Sequence, residues 1–226
     1  MNPTLRGSAA HVFVESLEAP QLADEDEHHL RRVLRIRPSD VVTVCDGAGS
    51  WVEARLEPTG LRVASAPLSE HRPAATVILS AIPKGERLEW MVQKLTEIGV
   101  TTIGFLDCAR SVVRWDAERA GRQLGRLRRV AREASMQSRR VWLPQIADVV
   151  PYGEVGSLPN VALADPDGER RIPPVIDTIL VGPEGGFTAD ELGTVSSRVA
   201  VAANVLRIET AAVAAAVMLT LRNESD

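Results

Sequence analysis

From residue 76 onward, continuous apolar runs alternate with stretches of helical spacing, and no other feature of the chain restricts its fold as much. Residues 76–80 form an unbroken apolar run, the pattern of a strand buried on both faces. Leu88, Met91, Val92, Leu95 and Ile98 then recur at helical spacing, and Gly99 is placed to end that helix. Residues 102–106 read as a second strand. Residues 116–138 read as a long helix with Leu124, Leu127, Ala131 and Ala134 on its inner face. Further buried strands are expected at 161–164, 178–181 and 199–202. Thr188 and Glu191 have the spacing of a capping box, and 209–221 reads as an alanine-rich closing helix. Buried strands alternating with helices imply an α/β domain whose parallel sheet is covered on both faces.

The chain before this point reads differently. Residues 11–14, 41–44 and 51–54 are short β-rich segments, punctuated by Asp46-Gly47 and Pro58-Thr59-Gly60. Close spacing of short strands suggests a small barrel, interrupted by a helical piece near 24–35. Residues 66–75, with Pro67 and Pro73, look like a linker. Two domains are therefore expected, over residues 1–71 and 74–226.

With 226 residues and 45% hydrophobic content, both domains can bury a core. A net charge of −4 excludes a globally basic surface, so any nucleic-acid contact must be a local patch. Cys45 and Cys108 stand far apart in no ligand spacing and read as free thiols of a reducing compartment. The first ten residues carry no apolar signal core. The longest apolar run, 211–219, is well short of the ~18 residues a membrane span needs. A soluble, cytoplasmic protein without bound metal is expected.

Five segments carry candidate chemistry. Gly182, Pro183, Glu184, Gly185, Gly186 and Phe187 join a buried strand to a capped helix. Glycines there let main chain approach a ligand at the carboxyl end of a sheet strand. The pattern matches neither dinucleotide nor phosphate-loop signatures, and Glu184 would repel a polyphosphate, so a neutral or cationic ligand fits better. An ordinary tight turn would satisfy the same residues. Leu206, Arg207, Ile208, Glu209, Thr210 and Ala211 crowd a helix start, where free amides need partners; taken alone, a plain cap with an ion pair accounts for them somewhat better than a site does. Lys84-Gly85-Glu86-Arg87 leads into a helix carrying Gln93, Lys94 and Glu97, which a solvated face would also explain. Arg119, Arg122, Arg126 and Arg129 form a stripe opposite an apolar face, followed by Gln137, Ser138, Arg139 and Arg140. Such a stripe on an acidic protein suits a phosphate backbone or a solvated surface. His28, His29, Arg31, Arg32 and Arg35 suit RNA docking or packing between domains better than a metal, since His11 and His71 complete no ligand set.

In this order, these segments resemble the small-subunit (16S) ribosomal RNA uridine-N3 methyltransferases, a family of the SPOUT or α/β-knot superfamily. The similarity runs from His11 to about Arg222 and rests most on His28-His29-Leu30, Gln93-Lys94 with Glu97-Ile98-Gly99, Gln137-Ser138-Arg139, and the segments 181–187 and 206–211. The resemblance implies a PUA-like RNA-binding barrel followed by a methyltransferase domain with a trefoil knot. It also implies a homodimer acting on small-subunit RNA or the assembled subunit. S-adenosylmethionine would lie against Leu163, Ala164, Gly182, Pro183, Glu184, Gly185, Gly186, Leu206, Arg207, Thr210 and Ala211. The RNA-contacting set would be His28, His29, Arg31, Arg32, Arg35, Lys84, Lys94, Arg126, Arg129, Gln137, Arg139 and Arg140. Met136 stands where the family often has glutamate, and Ser39-Asp40 replaces a Gly-Asp turn.

A neutral imide nitrogen is a poor nucleophile, so methylation at uridine N3 calls for a proton acceptor and a group that steadies the anion. Arg207 is the candidate for the second role, and Glu209 or Glu184 for the first. The target base must also leave its stack. A ribose 2′-O-methyltransferase and a non-catalytic assembly factor are the rival readings. A nucleotide-dependent oxidoreductase lacks its signature.

Overall fold

A computed structural model describes residues 2–223. Residue 1 and residues 224–226, which the expected domain ranges include, lie outside the described residues. The chain forms two compact units. The first runs through Pro73 and also takes in Arg132–Leu143; the second comprises Ala74–Ala131 and the chain from Pro144 onward.

The first unit holds a short helix α1 (Pro3–Gly7) and five strands, β1 (Ala10–Phe13), β2 (Val42–Cys45), β3 (Ser50–Glu57), β4 (Gly60–Val63) and β5 (Leu68–Ser69). Their order is β1-β2-β3-β4, with β5 also on β3. Only the β1–β2 pair is parallel; β3 meets β2, β4 and β5 antiparallel. β5 falls inside the stretch expected to be a plain linker. Two residues are too short a strand to show as a periodic run, and Leu68 pairs with Trp51 all the same. Trp51, Val52, Ala54 and Leu56 are buried along β3. Helix α2 (Asp24–His28) continues into a π-helical turn at His29–Val33.

Residues 132–143 are tied into this unit by polar bonds that leave no mark on local periodicity. Arg132 Nη2 lies 2.6 Å from the Asp26 carboxylate. Buried His11 meets the Arg140 carbonyl at 2.9 Å through Nε2 and the Thr43 hydroxyl at 2.8 Å through Nδ1. Burial lowers the His11 pKa to about 4, so its ring is neutral near pH 7.

The second unit alternates as the sequence pattern suggests: β6 (Val77–Ala81), α3 (Arg87–Ile98), β7 (Thr102–Asp107), α4 (Ala117–Ser138), β8 (Gln145–Pro151), β9 (Val161–Glu169), β10 (Thr178–Val181), α5 (Ala189–Thr194), β11 (Arg198–Val199) and α6 (Ile208–Asn223). The last turns of α4 belong to the first unit. Strand order is β11-β9-β10-β6-β7-β8, with every pairing parallel. Gly99 ends α3 in the left-handed region at φ 110°. The closing helix α6 buries Ile208, Ala212, Ala215, Ala216 and Leu219 and packs on α3 and β6. Small alanines let it approach closely, and each larger buried side chain contributes about 1.5–3 kcal/mol.

Two strands depart from expectation. β8 is an edge strand of mixed polarity, which hides its period. β9 continues through the turn-like residues Asp165–Glu169 because β11 pairs with it there. At Gly168 a Cβ would come within 2.5 Å of the Val199 nitrogen, so this close approach requires glycine. From β6 the chain proceeds through β7 to β8, whereas from β10 it turns the other way to β11. Neighbouring strands β6 and β10 thus mark a switch point, and ligands of parallel sheets bind beyond the carboxyl ends of strands at such places.

Candidate functional site

A cavity of about 300 Å³ opens beyond the carboxyl end of β10, beside the middle of β9. Three segments distant in sequence build it. Ala164, Asp165 and Pro166 come from β9; Val181, Gly182, Pro183, Glu184, Gly186, Phe187 and Leu192 from the end of β10 through α5; Val201, Ala202, Asn204, Val205, Leu206, Ile208 and Ala211 from the chain entering α6. The expected cofactor residues Ala164, Gly182, Pro183, Glu184, Gly186, Leu206 and Ala211 are thereby brought together. Leu163, Gly185, Arg207 and Thr210 stand outside the lining. Leu163 is fully buried in the core beneath the cavity. Gly185, Arg207 and Thr210 are exposed, Arg207 immediately before α6 and Thr210 in its first turn. Asp165, Val201 and Asn204 escaped notice because they lie in no motif. For Asp165 a usable signal did exist, namely its place directly after the apolar run of residues 161–164.

The walls are apolar with a negative bias. Among the described residues no lysine or arginine lines the cavity, whereas Asp165 and Glu184 do. Asp165 is committed internally: it accepts the Asp167 amide at 2.9 Å and faces Arg198 at 3.5 Å. Glu184 is exposed. Glu209 is buried at the start of α6, and Arg87 Nε lies 3.7 Å from its carboxylate.

The glycine segment is held in place from outside the cavity. Gly186 adopts φ 67° and donates to the Pro183 carbonyl at 2.8 Å, closing a tight turn. The capping box at α5 is complete, with Thr188 Oγ1 accepting the Glu191 amide and Glu191 Oε2 accepting the Thr188 amide. Glu191 Oε1 also accepts the Ala109 amide at 2.7 Å, from the loop after β7. From that same loop, Arg110 Nη1 donates to the carbonyls of Gly185 and Phe187 at 2.8 and 3.2 Å. Phe187 leans on Tyr152, whose hydroxyl donates to the Glu191 carbonyl at 2.7 Å.

The candidate RNA-contacting residues divide between exposed and internally paired. In the first unit His28, His29, Arg32, Arg35 and Gln137 are exposed, beside exposed Val33 and Leu34. Arg31 instead binds Glu27 at 2.8 Å and the Glu57 carbonyl at 2.6 Å. Arg139 donates to the Met136 and Ser8 carbonyls, and burial pushes the Arg140 guanidinium down to about 10. In the second unit Lys84 and Arg129 are exposed. Lys94 pairs with Glu97 at 2.8 Å, and Arg126 with Glu89 at 2.6 Å. Among the described residues no three His, Cys, Asp or Glu side chains cluster as a metal would require. No described helix is long and apolar enough to cross a membrane.

Comparison with known proteins meets this geometry. The RNA methyltransferase domain profile matches residues 70–220, and the RNA methyltransferase PUA domain profile matches residues 22–61. The chain is 33% identical over 224 residues to ribosomal RNA small subunit methyltransferase E of Mycobacterium bovis, covering 87% of this chain and 84% of that one. It is 29% identical over 229 residues to the Bacillus subtilis protein of the same name, covering 86% and 87%. Among solved structures, ribosomal RNA small subunit methyltransferase E from Neisseria gonorrhoeae bound to S-adenosyl methionine superposes with a TM-score of 0.78. Identity there is 27%, over 94% of this chain and 97% of that chain.

Proposed function

The chain belongs to the RNA methyltransferase family that includes ribosomal RNA small subunit methyltransferase E, and from that premise we propose that it transfers a methyl group from S-adenosylmethionine to N3 of a specific uridine in 16S ribosomal RNA. The observation that carries this reading is the cavity whose walls come from residues 181–187 and 201–211, at the carboxyl ends of a parallel sheet. Its chemistry fits the cofactor. Apolar Val181, Leu206, Ile208 and Ala211 suit an adenine ring, and the absence of lysine and arginine from the lining suits a ligand bearing positive charge. When bound, S-adenosylmethionine supplies an electrophilic methyl on its sulfonium.

The chain's own residues then have to place the acceptor and handle its proton. Glu184, exposed on the cavity wall, is favoured over Glu209 as the group taking the imide proton. Glu209 is buried beside Arg87, with which it forms an ion pair. Arg207, exposed just before α6, would steady the uracil anion or a flanking phosphate. Positioning of this kind supplies several kcal/mol of a transfer barrier, on the order of 7–11 at best. Residues 1–71, with Arg132–Leu143 added, would serve as the PUA-like RNA-binding barrel. Exposed His28, His29, Arg32 and Arg35 there are its foremost RNA candidates. Residues 74–226 would be the SPOUT domain with its trefoil knot.

The proposal extends to a cytoplasmic homodimer acting on small-subunit RNA or the assembled subunit. Exposed Trp90 on α3 and Val217 and Leu221 on α6 offer an apolar surface for self-association. The deciding experiment incubates the protein and S-adenosylmethionine with unmodified small subunits, followed by mass spectrometry of the nucleosides. 3-Methyluridine is expected; ribose-methylated uridine would redirect the reading to 2′-O transfer.

A further inference from the structure

We infer that Arg110 and Glu191, neither of which lines the cavity, are positioning residues that lock two peptide planes of the cofactor-binding wall and so set affinity for S-adenosylmethionine. The inference rests on the proposed function. It starts from an oddity of the α5 cap. A capping box needs one carboxylate oxygen for the N-cap amide. Glu191 uses one for Thr188 at 2.7 Å and turns the other to Ala109, 82 residues away in sequence, also at 2.7 Å. Arg110, the next residue, reaches the same wall from its other side through the carbonyls of Gly185 and Phe187.

The peptide bonds explain why this matters. The carbonyl of Gly185 and the amide of Gly186 belong to one planar unit, as do the carbonyl of Phe187 and the amide of Thr188. In the first plane Arg110 holds the carbonyl and the Pro183 carbonyl holds the amide. In the second Arg110 holds the carbonyl and Glu191 holds the amide. A planar group fixed at both ends cannot rotate without breaking two bonds. Gly185 and Gly186 would otherwise leave this stretch free to sample several turns. The aliphatic part of Arg110 lies along Gly185 as well, where a Cβ would come 3.4 Å from it.

The loop carrying the grip is itself braced. Ser111 Oγ accepts the Cys108 amide at 3.0 Å, the Ser111 amide donates to the Cys108 carbonyl at 3.0 Å, and Arg114 donates to the Cys108 and Ala109 carbonyls. A wall set before the ligand arrives spares the ordering cost of binding, which shows in affinity rather than in the chemical step.

The test titrates S-adenosylmethionine into the full-length protein by calorimetry and measures KM and kcat on small subunits, for wild type, Arg110→Ala and Arg110→Lys. Arg110→Ala is expected to weaken Kd and raise KM for S-adenosylmethionine about ten-fold, with kcat at saturation within about two-fold. Both bonds come from the single Nη1, and lysine, whose ammonium ends short of that position, should recover part of the loss. Unchanged Kd and KM in Arg110→Ala would overturn the inference, as would a fall confined to kcat. Should alanine impair folding, Arg110→Lys alone decides: Kd weakened at an unchanged melting temperature supports the lock, and wild-type Kd refutes it. Wild-type protein that fails to bind S-adenosylmethionine at all would overturn the proposed function, and this inference with it.

Discussion

The two principal walls of the cavity are built in opposite ways. The wall at residues 182–188 has its turn closed by Gly186, its helix capped by Thr188 and Glu191, and its carbonyls gripped by Arg110. Across the cavity, residues 201–206 make no backbone hydrogen bond among the described residues, and Val205 is 88% exposed. Among the described residues the segment's flanking backbone bonds run from Ala200 to the Glu169 carbonyl and from the Ala211 amide to the Arg207 carbonyl, and Val201 packs on the core. A site so divided has one preformed face against which a ligand can be oriented and one face able to adjust around it. Local stability follows buried contacts and satisfied backbone groups, so the second wall belongs to the low-stability end of the molecule.

The harshest way to break this asymmetry is to remove the hub of the ordered wall. Glu191→Ala removes the carboxylate half of the capping box, while Thr188 still caps the amide of residue 191. It strips the Thr188 and Ala109 amides of their acceptor, costing about 1–3 kcal/mol for each that stays buried. A loss of about 3 kcal/mol in denaturant unfolding is expected, together with S-adenosylmethionine binding too weak for calorimetry. Stability near wild type would mean that the wall does not depend on its hub.

A gentler intervention acts on backbone conformation alone. An added Cβ at Gly186 meets nothing within 4 Å, so any penalty there comes from its φ of 67°. That region costs an ordinary L-residue about 1–2 kcal/mol, and more for a β-branched one. Gly186→Val should therefore weaken S-adenosylmethionine binding about ten-fold or more, while Gly186→Asn, which tolerates the left-handed region, stays within about three-fold. Equal losses in both variants would point to steric exclusion of ligand instead of strain.

The same asymmetry explains which parts of the site could be read in the sequence. The ordered wall announces itself locally: two glycines, a proline and the Thr188–Glu191 spacing follow from the demands of a strand, a turn and a capped helix in succession. Most of the parallel sheet was legible for a similar reason, since strands buried on both faces are apolar without interruption. What stayed hidden depends on partners far away in the chain. Arg110 sits in a loop with no periodicity, and its role exists only because Gly185 and Phe187 fold against it. Asn204 and Val201 line the cavity by virtue of where α6 begins. The division of α4 between units is likewise invisible, because its amphipathic pattern runs unbroken past Ala131 while Asp26 decides where Arg132 belongs.

The smallest effects should come from the loosely tied wall. Val205 is almost fully exposed, so Val205→Ser removes little buried surface and should shift stability by no more than about 0.5 kcal/mol. Its lost contact with a bound ligand should weaken S-adenosylmethionine binding only about two- to three-fold, less than one well-buried methyl group would. Amide hydrogen exchange gives the sharper contrast. Gly186 and Thr188, whose amides have fixed acceptors, should be protected in the free protein, and the ligand should change them little. Amides from residues 203 to 206 should exchange quickly when the protein is free and slow down once S-adenosylmethionine is added, because this wall becomes ordered by what it encloses. Similar protection of both walls without ligand would show that the cavity is rigid throughout, and the difference between its faces would then lie in shape alone.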